Sequence, residues 1–313
     1  MSRNALSVEK FLEYIMQTFD VRAENISPLS SISSNDLFKI TDGDKRYIIK
    51  NYKSSYLFDS ELITLLGYKG KIKIPEIMYY EEKAQNGWDW MMYKYVDGDS
   101  LFEVKEQLEV TDFYDIFFDV GSELRKFHDV KIGYQPTKKE RSNFIKQIIQ
   151  KTELNYSCLG ENKNAALFQR TIHFLRNHYP LLDKQGSYSL VIKDFTDKHI
   201  IIDKKEQTWT LTGIIDFEQV VYSNRFIDFV FLYINYLLRN SQMECSFLKG
   251  YNKQINDEEK CLIAFFIFQY ALELCGILRN IHFSNEEQGR IIILQTFEWL
   301  EKQNIKLFFH STP

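Results

Sequence analysis

The chain has 313 residues, which is enough for two domains or for one large domain divided into two lobes. Hydrophobic residues make up 44% of it and charged residues 26%, so extensive disorder is excluded. With 39 basic and 43 acidic side chains the net charge is −4, which provides no general attraction to nucleic acid or to anionic membranes. We therefore expect neither as a partner.

The cysteines and the apolar stretches bear on where the protein works. The four cysteines show no C-x-x-C spacing and no neighbouring histidines, so zinc binding and thiol redox chemistry are not expected. The first nineteen residues have the pattern of an amphipathic helix, not of a signal peptide. The most apolar stretch, 261–278, contains Gln269 and Glu273 and predicts a buried helix, not a membrane span. We expect a cytoplasmic protein with reduced thiols.

Residues 28–95 have the pattern of a small mixed α and β unit. The run LFKI, a turn at Asp42-Gly43-Asp44 and the run RYIIKNY predict an antiparallel hairpin. A helical pattern over SSYLFDSELITLLGYKG follows and ends at glycines. The runs IPEIMYYEE and WDWMMYKYV then predict two further strands around a turn at Asn86-Gly87.

After Gly98 the pattern becomes mostly helical. Thr111 is the predicted N-cap of a helix over DFYDIFFDVGSELRKFH. Helical periodicity covers five further stretches: 139–153, 160–178, 224–239, 257–280 and 285–302. Three short β-branched runs interrupt this region, and they read YSLVIKDF, HIIID and WTLTGIIDF. The sequence thus predicts an α+β fold with two lobes, which we assign to domains at residues 1–97 and 98–313.

Five residues have the types and positions that phosphate and metal chemistry uses. Lys50 ends a predicted strand, and Glu61 lies eleven residues later on the following helix, although a structural ion pair would have the same spacing. Asp194 follows an apolar run and precedes His199 by five residues, and Asp216 ends the run GIID. Carboxylates at strand ends can hold Mg²⁺ and orient a hydroxyl, but aspartates also occur there as turn or capping residues.

The order of these features resembles one family of enzymes. A strand Lys, a helix Glu, the run MMYKYVDG, the spacing D-x-x-x-x-H and the run IIDF occur in the order found in protein-kinase-like phosphotransfer. With LRKFHDV and TGIIDFEQVVYSNRFIDF, the sequence resembles the aminoglycoside phosphotransferase and choline kinase superfamily over nearly its whole length. The D-x-x-x-x-H spacing is most similar to the 2″-type aminoglycoside phosphotransferases. The resemblance implies a bilobal protein-kinase-like fold, with a small β-rich N-terminal nucleotide-binding lobe and a large helical C-terminal lobe.

The resemblance also implies roles for the residues of the catalytic region. Asp194 matches the catalytic carboxylate that orients the acceptor hydroxyl and receives its proton. Asp216 matches a ligand of Mg²⁺, and His199 stands where the family usually has a metal-binding Asn. Asp228 matches a structural residue that fixes the catalytic loop through hydrogen bonds.

A second set of residues matches the nucleotide site of the family, whose phosphoryl donor is ATP or GTP. Lys50 matches the Lys that contacts the nucleotide phosphates, and Glu61 matches the Glu that holds this Lys. Tyr93 matches the gatekeeper position beside the purine. The other implied nucleotide contacts are Ser33 and Ser34 in the phosphate-covering segment 31–35, and the backbone groups of Lys94 and Val96.

Two departures from the family pattern keep another class of protein open. The usual His-Gly-Asp or His-Asn-Asp reads Ile192-Lys193-Asp194 here, and an Ile replaces the packing of the missing His but not its hydrogen bonds. A His nitrogen at position 199 is a poorer Mg²⁺ ligand than an amide oxygen. A catalytically inactive binding protein with a kinase fold is therefore an alternative to an active kinase.

The substrate is less well determined than the chemistry. The resemblance implies a cationic hydroxyl acceptor, an aminoglycoside-like antibiotic, while the run DFE with Tyr222 and Arg225 is also similar to choline and ethanolamine kinases. A choline- or ethanolamine-type kinase, or another metabolite kinase, is therefore the alternative. Glu218 and Glu273 are candidate carboxylates for a cationic acceptor. Since no Lys or Arg lies three or four residues from Glu273, either a distant cation pairs with it or it awaits the substrate.

Overall fold

The structure, a computed structural model, divides the chain into two compact units. One comprises Met1–Glu103 with Lys198–Val220, and the other Val104–Asp197 with Val221–Pro313. A lobe boundary at residues 97–98 stays a prediction. Among the described residues no helix is both long enough and apolar enough to cross a bilayer. The described residues are 8–20, 22–29, 35–82, 89–130, 136–184, 188–278 and 284–305.

The described elements follow one another in a mixed order. The strands are β1 (Ile26–Pro28), β2 (Asp36–Asp42), β3 (Lys45–Tyr52), β4 (Ile77–Glu81), β5 (Asp89–Lys94), β6 (Asp99–Ser100), β7 (Tyr188–Val191), β8 (Ile200–Lys205), β9 (Thr208–Ile214) and β10 (Val221–Asn224). The helices are α1 (Val8–Phe19), α2 (Ser55–Tyr68), α3 (Leu101–Val104), α4 (Val110–Asp129), α5 (Lys138–Ser157), α6 (Ala166–His178), α7 (Val230–Leu232), α8 (Ser241–Gly250), α9 (Asp257–Cys275) and α10 (Ser284–Lys302).

The first unit is built on an antiparallel sheet in the order β1-β2-β3-β5-β4. The predicted hairpin is confirmed, since β2 and β3 pair from Asp36 with Asn51 to Asp42 with Lys45. Because β3 lies between β2 and β5, its residues 48–52 are all buried. This central strand carries Lys50 into the interior of the unit.

Apolar side chains of α1 form a core with the five-stranded sheet. Phe11 and Ile15, spaced four residues apart on one face of α1, are buried against Phe38, Ile49 and Trp90. A second sheet of this unit has the order β6-β8-β9, so the predicted strands HIIID and WTLTGII are present and paired. That hairpin ends at Ile214, two residues before Asp216.

The second unit is mainly helical. Its central helix α9 is buried along Cys261–Phe268 and packs against α5, α6 and α10. A two-stranded ribbon of β7 and β10 leads into the segment 192–197. Together the β-rich first unit and the helical second unit confirm the predicted α+β class.

Several predicted boundaries in the second unit were wrong. The predicted helix 224–239 is instead the end of β10, a 3₁₀ turn at Arg225–Phe229, α7, and a π-helical turn at Tyr233–Leu237. The Asn224 side chain accepts a hydrogen bond from the Phe226 N–H, and the 3₁₀ turn begins there. This local hydrogen bond cannot be predicted from the apolar periodicity. Helix α4 is capped by Glu109 and not by Thr111, because Glu109 and Asp112 form a reciprocal capping box.

The ends of two other helices also differ from the periodicity. The predicted helix 160–178 is a 3₁₀ turn at Gly160–Asn164 followed by α6, and α9 ends at Cys275 instead of continuing to residue 280. Helix α8 was not predicted. It is short, and Asn240 begins it by accepting the N–H groups of Gln242 and Met243.

Candidate active site

Lys50 lies at the centre of a buried ionic cluster in the first unit. Its Nζ is 2.8 Å from Glu61 Oε2, 2.8 Å from Asp216 Oδ1 and 2.9 Å from Glu218 Oε2, and only 3% of the Lys50 side chain is exposed. Burial alone would lower the pKa of Lys50, but Glu61 and Asp216 outweigh burial and hold it well above its usual value. The structure therefore brings together the predicted Lys50, Glu61, Asp216 and Glu218.

The partners of Glu61 hold it in place on α2. Its carboxylate is buried, and Tyr52 on the central strand donates its hydroxyl to Glu61 Oε2 at 2.7 Å. Burial raises the pKa of Glu61 in spite of the nearby Lys50. A carboxylate that accepts from both an ammonium and a phenol is fixed in one orientation, which in turn fixes the Lys50 ammonium.

Asp216 and His199 also lie side by side. Asp216 follows β9 with φ +67°, in the left-handed region that few residues other than glycine adopt. Its Oδ2 is 3.4 Å from His199 Nε2, and the N–H of Ile215 donates to the carbonyl oxygen of His199 at 3.0 Å. Burial would raise the pKa of Asp216, but Lys50 and then His199 lower it below its usual value. Asp216 is therefore a carboxylate held ionised.

The cluster has the chemistry of a cation site. Carboxylate oxygens of Glu61, Asp216 and Glu218 all lie within 4.8 Å of one another. Three carboxylates around the single ammonium of Lys50 leave a surplus of negative charge, and oxygen donors suit a hard divalent cation. The residues present therefore fit Mg²⁺.

Glu218, a predicted contact of the cationic acceptor substrate, also forms hydrogen bonds within the protein. Asn35 donates its side-chain amide to Glu218 Oε2, and the N–H of Lys53 donates to Asn35 Oδ1 at 3.1 Å. Sequence reasoning placed Asn35 in the phosphate-covering segment but gave it no role of its own. The other predicted residues of that segment, Ser33 and Ser34, lie outside the described residues. The acceptor role of Glu218 stays a prediction.

The predicted purine-contacting segment lies directly after β5. The N–H of Lys94 donates to the carbonyl oxygen of Glu76 at 2.8 Å, and the N–H of Tyr95 to that of Arg46 at 2.9 Å. Within the described part of the chain, the N–H of Val96 has no backbone partner. A cavity of about 570 Å³ adjoins this segment and is lined by Lys94–Asp97 with residues 73–76, Asp203, Lys205 and 210–212.

The gatekeeper candidate Tyr93 lies close to the Lys50 cluster. Burial raises the pKa of Tyr93, and the carboxylate of Glu61 adds to the effect, while the Lys50 ammonium opposes it. The phenol therefore stays protonated. The sequence placed this residue correctly on β5, where it pairs with Ile48 of β3.

In the second unit, the loop that carries Asp194 is held by Asp228. The N–H of Ile192 donates to Asp228 Oδ2 at 2.9 Å, and the N–H of Lys193 donates to Asp228 Oδ1 at 2.8 Å. Asp228 is buried, and Lys193 adopts φ +70°. These bonds fix the two residues directly before Asp194, which is itself half-buried.

Sequence reasoning missed His128, which contacts Asp228. His128 Nε2 is 3.0 Å from Asp228 Oδ2, and His128 Nδ1 is 2.8 Å from the hydroxyl of Tyr251. His128 lies four residues after the buried Leu124 on the apolar face of α4, so the helical periodicity already placed it in the interior. A buried polar residue continuing an apolar face is the signal that could have identified it.

Glu273 has a partner within the chain. Its carboxylate lies 2.7 Å from Lys151 Nζ, on α5, so the first alternative, pairing with a distant cation, is the one found. A cationic acceptor would therefore have to displace Lys151. The pKa of Tyr270 is raised by burial and then by the charges of Glu273 and Asp194, which puts both carboxylates within electrostatic reach of the Tyr270 hydroxyl.

The fold and the Lys–Glu–Asp cluster define the class as a protein-kinase-like phosphotransferase. Residues 25–254 match the family model described as "APH: Phosphotransferase enzyme family". The chain belongs to this family and is a small-molecule kinase, and the expected membership of the aminoglycoside phosphotransferase and choline kinase superfamily is confirmed. No curated protein matches the chain by sequence.

Solved structures of aminoglycoside phosphotransferases share the fold. The GDP complex of wild-type aminoglycoside 2'-phosphotransferase-IIIa has 15% identity and a TM-score of 0.67 over 93% of this chain and 98% of the other. Aminoglycoside phosphotransferase APH(4)-Ia has 12% identity and a TM-score of 0.66 over 94% of this chain and 99% of the other. The streptomycin-ATP-APH(2")-IIa ternary complex has 18% identity and a TM-score of 0.59 over 88% and 91% of the two chains. Similarity at this level of identity shows the fold alone.

Proposed function

We propose that the protein transfers the γ-phosphoryl group of ATP or GTP to a hydroxyl of a cationic small molecule, and that this acceptor is an aminoglycoside-like antibiotic. The observation that carries the proposal is the buried contact of Lys50 with both Glu61 and Asp216. Relatives of the same fold hold GDP, or ATP with streptomycin, which supports a nucleotide donor and an antibiotic acceptor.

The residues of the Lys50 cluster would organise the donor. Asp216, with Glu218 or His199, would hold Mg²⁺, which supplies neutralisation of the phosphate charge when bound. Lys50 would exchange one carboxylate partner for phosphate oxygens, while the buried Glu61 keeps its ammonium in position. Val96 and Lys94 would meet the purine edge through backbone groups, and Ser33 and Ser34 would cover the phosphates.

Asp194 would organise the acceptor. Its carboxylate would accept a hydrogen bond from the acceptor hydroxyl, align the oxygen with the γ-phosphorus and receive the proton. A bond then forms between the acceptor oxygen and phosphorus, and the bond to the β,γ-bridging oxygen breaks, which releases the nucleoside diphosphate. Asp228 would keep Asp194 in place through the hydrogen bonds to the preceding loop.

A choline- or ethanolamine-type acceptor is the second candidate. The observation that favours it is a stacked pair of rings, Tyr188 and Tyr222, with centroids 6.2 Å apart on the ribbon that leads to the Asp194 loop. Aromatic faces bind quaternary ammonium groups through cation–π attraction. A transfer assay with aminoglycosides, choline, ethanolamine and neutral sugars as acceptors distinguishes the candidates.

The variant Asp194→Asn tests the proposed chemistry. We expect phosphoryl transfer to fall by about 10²–10⁴-fold, because an orienting and proton-accepting group is lost, while the increase in melting temperature on adding Mg²⁺-nucleotide is retained. The control Asp183→Asn removes an exposed carboxylate of the same unit. It should change neither the rate of phosphoryl transfer nor the increase in melting temperature with Mg²⁺-nucleotide. Wild-type turnover of Asp194→Asn, or no thermal shift of the wild type with millimolar ATP or GTP, would overturn the proposal.

A cellular experiment tests the acceptor. We place the enzyme in the cytoplasm, where its four free cysteines would stay reduced. Expression in a susceptible bacterium should then raise the inhibitory concentration of the cognate aminoglycoside, and so confer antibiotic resistance, while expression of Asp194→Asn should not. Resistance that persists in Asp194→Asn would exclude phosphorylation as its cause.

A further inference from the structure

Within the second unit, a continuous series of hydrogen bonds runs from Arg225 through Tyr251 and His128 to Asp228, which binds the catalytic loop. Arg225 Nη1 lies 3.4 Å from the Tyr251 hydroxyl, which lies 2.8 Å from His128 Nδ1. His128 Nε2 lies 3.0 Å from Asp228 Oδ2. All four side chains are buried, so solvent does not replace these bonds.

The residues at the two ends of this series determine which atom donates in each hydrogen bond. A guanidinium can only donate, so the Tyr251 oxygen accepts from Arg225 and its hydroxyl donates to His128 Nδ1. Both carboxylate oxygens of Asp228 already accept backbone N–H groups, so His128 carries its proton on Nε2 and donates it there. Burial lowers the pKa of His128, which favours the neutral ring that this arrangement requires.

The carboxylate at the end of this chain fixes a strained backbone. Lys193 adopts φ +70°, a left-handed conformation that is unfavourable for a residue with a Cβ and persists where neighbouring contacts enforce it. Asp228 accepts the N–H groups of Ile192 and Lys193. The orientation of the Asp228 carboxylate therefore determines the backbone conformation one residue before Asp194.

Close contact between two helices explains why Tyr251 reaches His128. Tyr251 directly follows α8, and His128 lies in the last turn of α4. A Cβ at Gly250 would overlap the carbonyl oxygen of Phe118, and a Cβ at Gly121 would overlap that of Phe247. These two glycines let α4 and α8 approach each other at backbone distance, which brings the phenol within hydrogen-bond reach of the imidazole.

We propose that His128 and Tyr251 are positioning residues that orient the Asp228 carboxylate and, through it, the loop carrying Asp194. The side chain of Ile192, within the loop, cannot form hydrogen bonds. His128 on α4 and Tyr251 directly after α8 provide such bonds from outside the loop. The inference rests on the proposed function, in which Asp194 orients the acceptor hydroxyl. It adds to that function two residues that contact neither nucleotide nor acceptor.

Three variants and one matched control test the proposal. Tyr251→Phe removes only the hydroxyl in the middle of the chain, and His128→Leu removes both of its nitrogens. His128→Gln keeps an N–H donor for Asp228 and should rescue part of the effect. The control Tyr233→Phe also removes a buried hydroxyl beside Phe229, but that hydroxyl donates to Glu244, outside the chain of hydrogen bonds.

Amide hydrogen exchange and steady-state kinetics are the two measurements. We expect exchange at Ile192 and Lys193 to accelerate by at least tenfold in Tyr251→Phe and His128→Leu, and not in Tyr233→Phe. The kcat should fall roughly tenfold in Tyr251→Phe and on the order of 10²-fold in His128→Leu, as for a small misplacement of a reacting group. The KM for the nucleotide should stay within about twofold.

The outcomes separate the inference from the function on which it rests. Unchanged exchange and kcat in a folded Tyr251→Phe protein, or equal changes in Tyr233→Phe, would overturn the positioning role. Full transfer by Asp194→Asn would overturn the proposed function, while the exchange measurement would still decide whether His128 and Tyr251 hold the loop. If His128→Leu does not fold, Tyr251→Phe gives the same test with a smaller change.

Discussion

Lys50 Nζ lies 2.8 Å from Asp216 Oδ1, although 166 residues separate the two in the chain. The contact joins the central strand of the five-stranded sheet to the residue that follows the β8–β9 hairpin. Glu61 and Glu218 share the same ammonium. The loss of this one cation therefore affects three carboxylates at once.

The variant Lys50→Met should be strongly destabilised. Removing one partner of a buried ion pair leaves charge uncompensated, at a cost of about 3–5 kcal/mol. Denaturant titration at pH 7 should show a loss of this size in the free energy of unfolding. The loss should be smaller at pH 5, because protonation of the carboxylates removes part of their repulsion.

A lysine near the same strand provides the control for this measurement. Lys53 lies 3.3 Å from Asp36, and 62% of its side chain is exposed. Lys53→Met should change the free energy of unfolding by no more than about 0.5–1 kcal/mol, as is usual for exposed ion pairs. Equal losses in the two variants would show that burial of the Lys50 cluster contributes nothing.

His128 should make stability depend on pH in one direction. Burial lowers the pKa of His128 in the folded protein, despite Asp228, so the unfolded chain binds a proton more readily. The stabilisation is complete above the ordinary histidine pKa of about 6.5 and is lost as the pH falls below it. The free energy of unfolding should therefore decrease between pH 7 and pH 5, by about 1.4 kcal/mol per unit of pKa shift.

Two substitutions test whether His128 causes this dependence of the free energy of unfolding on pH. His128→Gln cannot take up the proton, so its free energy of unfolding should fall less steeply between pH 7 and pH 5. Part of the slope should remain, because burial also lowers the pKa of His178. His173→Gln, at a half-buried position of α6, should retain the slope of the wild type. An unchanged slope in His128→Gln would contradict the assignment.

The sequence predicted those features that depend on local pattern. The β2–β3 hairpin follows from alternating apolar residues around Asp42-Gly43-Asp44, and the order of Lys50, Glu61, Asp194 and Asp216 was sufficient to find the family. The predicted fold class is confirmed for the same reason. The hairpin is recorded in residues close together in the chain, and the family in short motifs whose order can be read without knowing which residues are in contact.

Other features depend on contacts between distant residues, which a single sequence does not record. The pairing of Asn35 with Glu218 spans 183 residues, and Lys151 on α5 pairs with Glu273 on α9. The strand β10 forms because β7 is available to pair with it, although its last residue, Asn224, was predicted as the start of a helix. Tertiary contacts decided each of these cases.

Gly250→Ala should weaken the packing of α4 against α8. The added methyl would overlap the carbonyl oxygen of Phe118, and a backbone atom can move only with its helix. Overpacking of this kind costs about 1–3 kcal/mol or more. We expect a loss of that size in the free energy of unfolding. The contrasting variant Gly43→Asn lies in an open turn with φ +57°, a conformation that Asn tolerates. Its free energy of unfolding should fall only by on the order of tenths of a kcal/mol.

Lys151 and Glu273 form an ion pair that is open to solvent. With 51% and 23% of these side chains exposed, a double-mutant cycle of Lys151→Met and Glu273→Gln should give a coupling of about 0.2–1 kcal/mol. Because Lys151 already neutralises Glu273, we expect Glu273→Gln to leave the KM for a cationic acceptor within about twofold, against the roughly tenfold increase that loss of a charge-assisted hydrogen bond would cause. A tenfold increase in Glu273→Gln, accompanied by a lower KM in Lys151→Met, would instead show that the acceptor competes with Lys151 for this carboxylate.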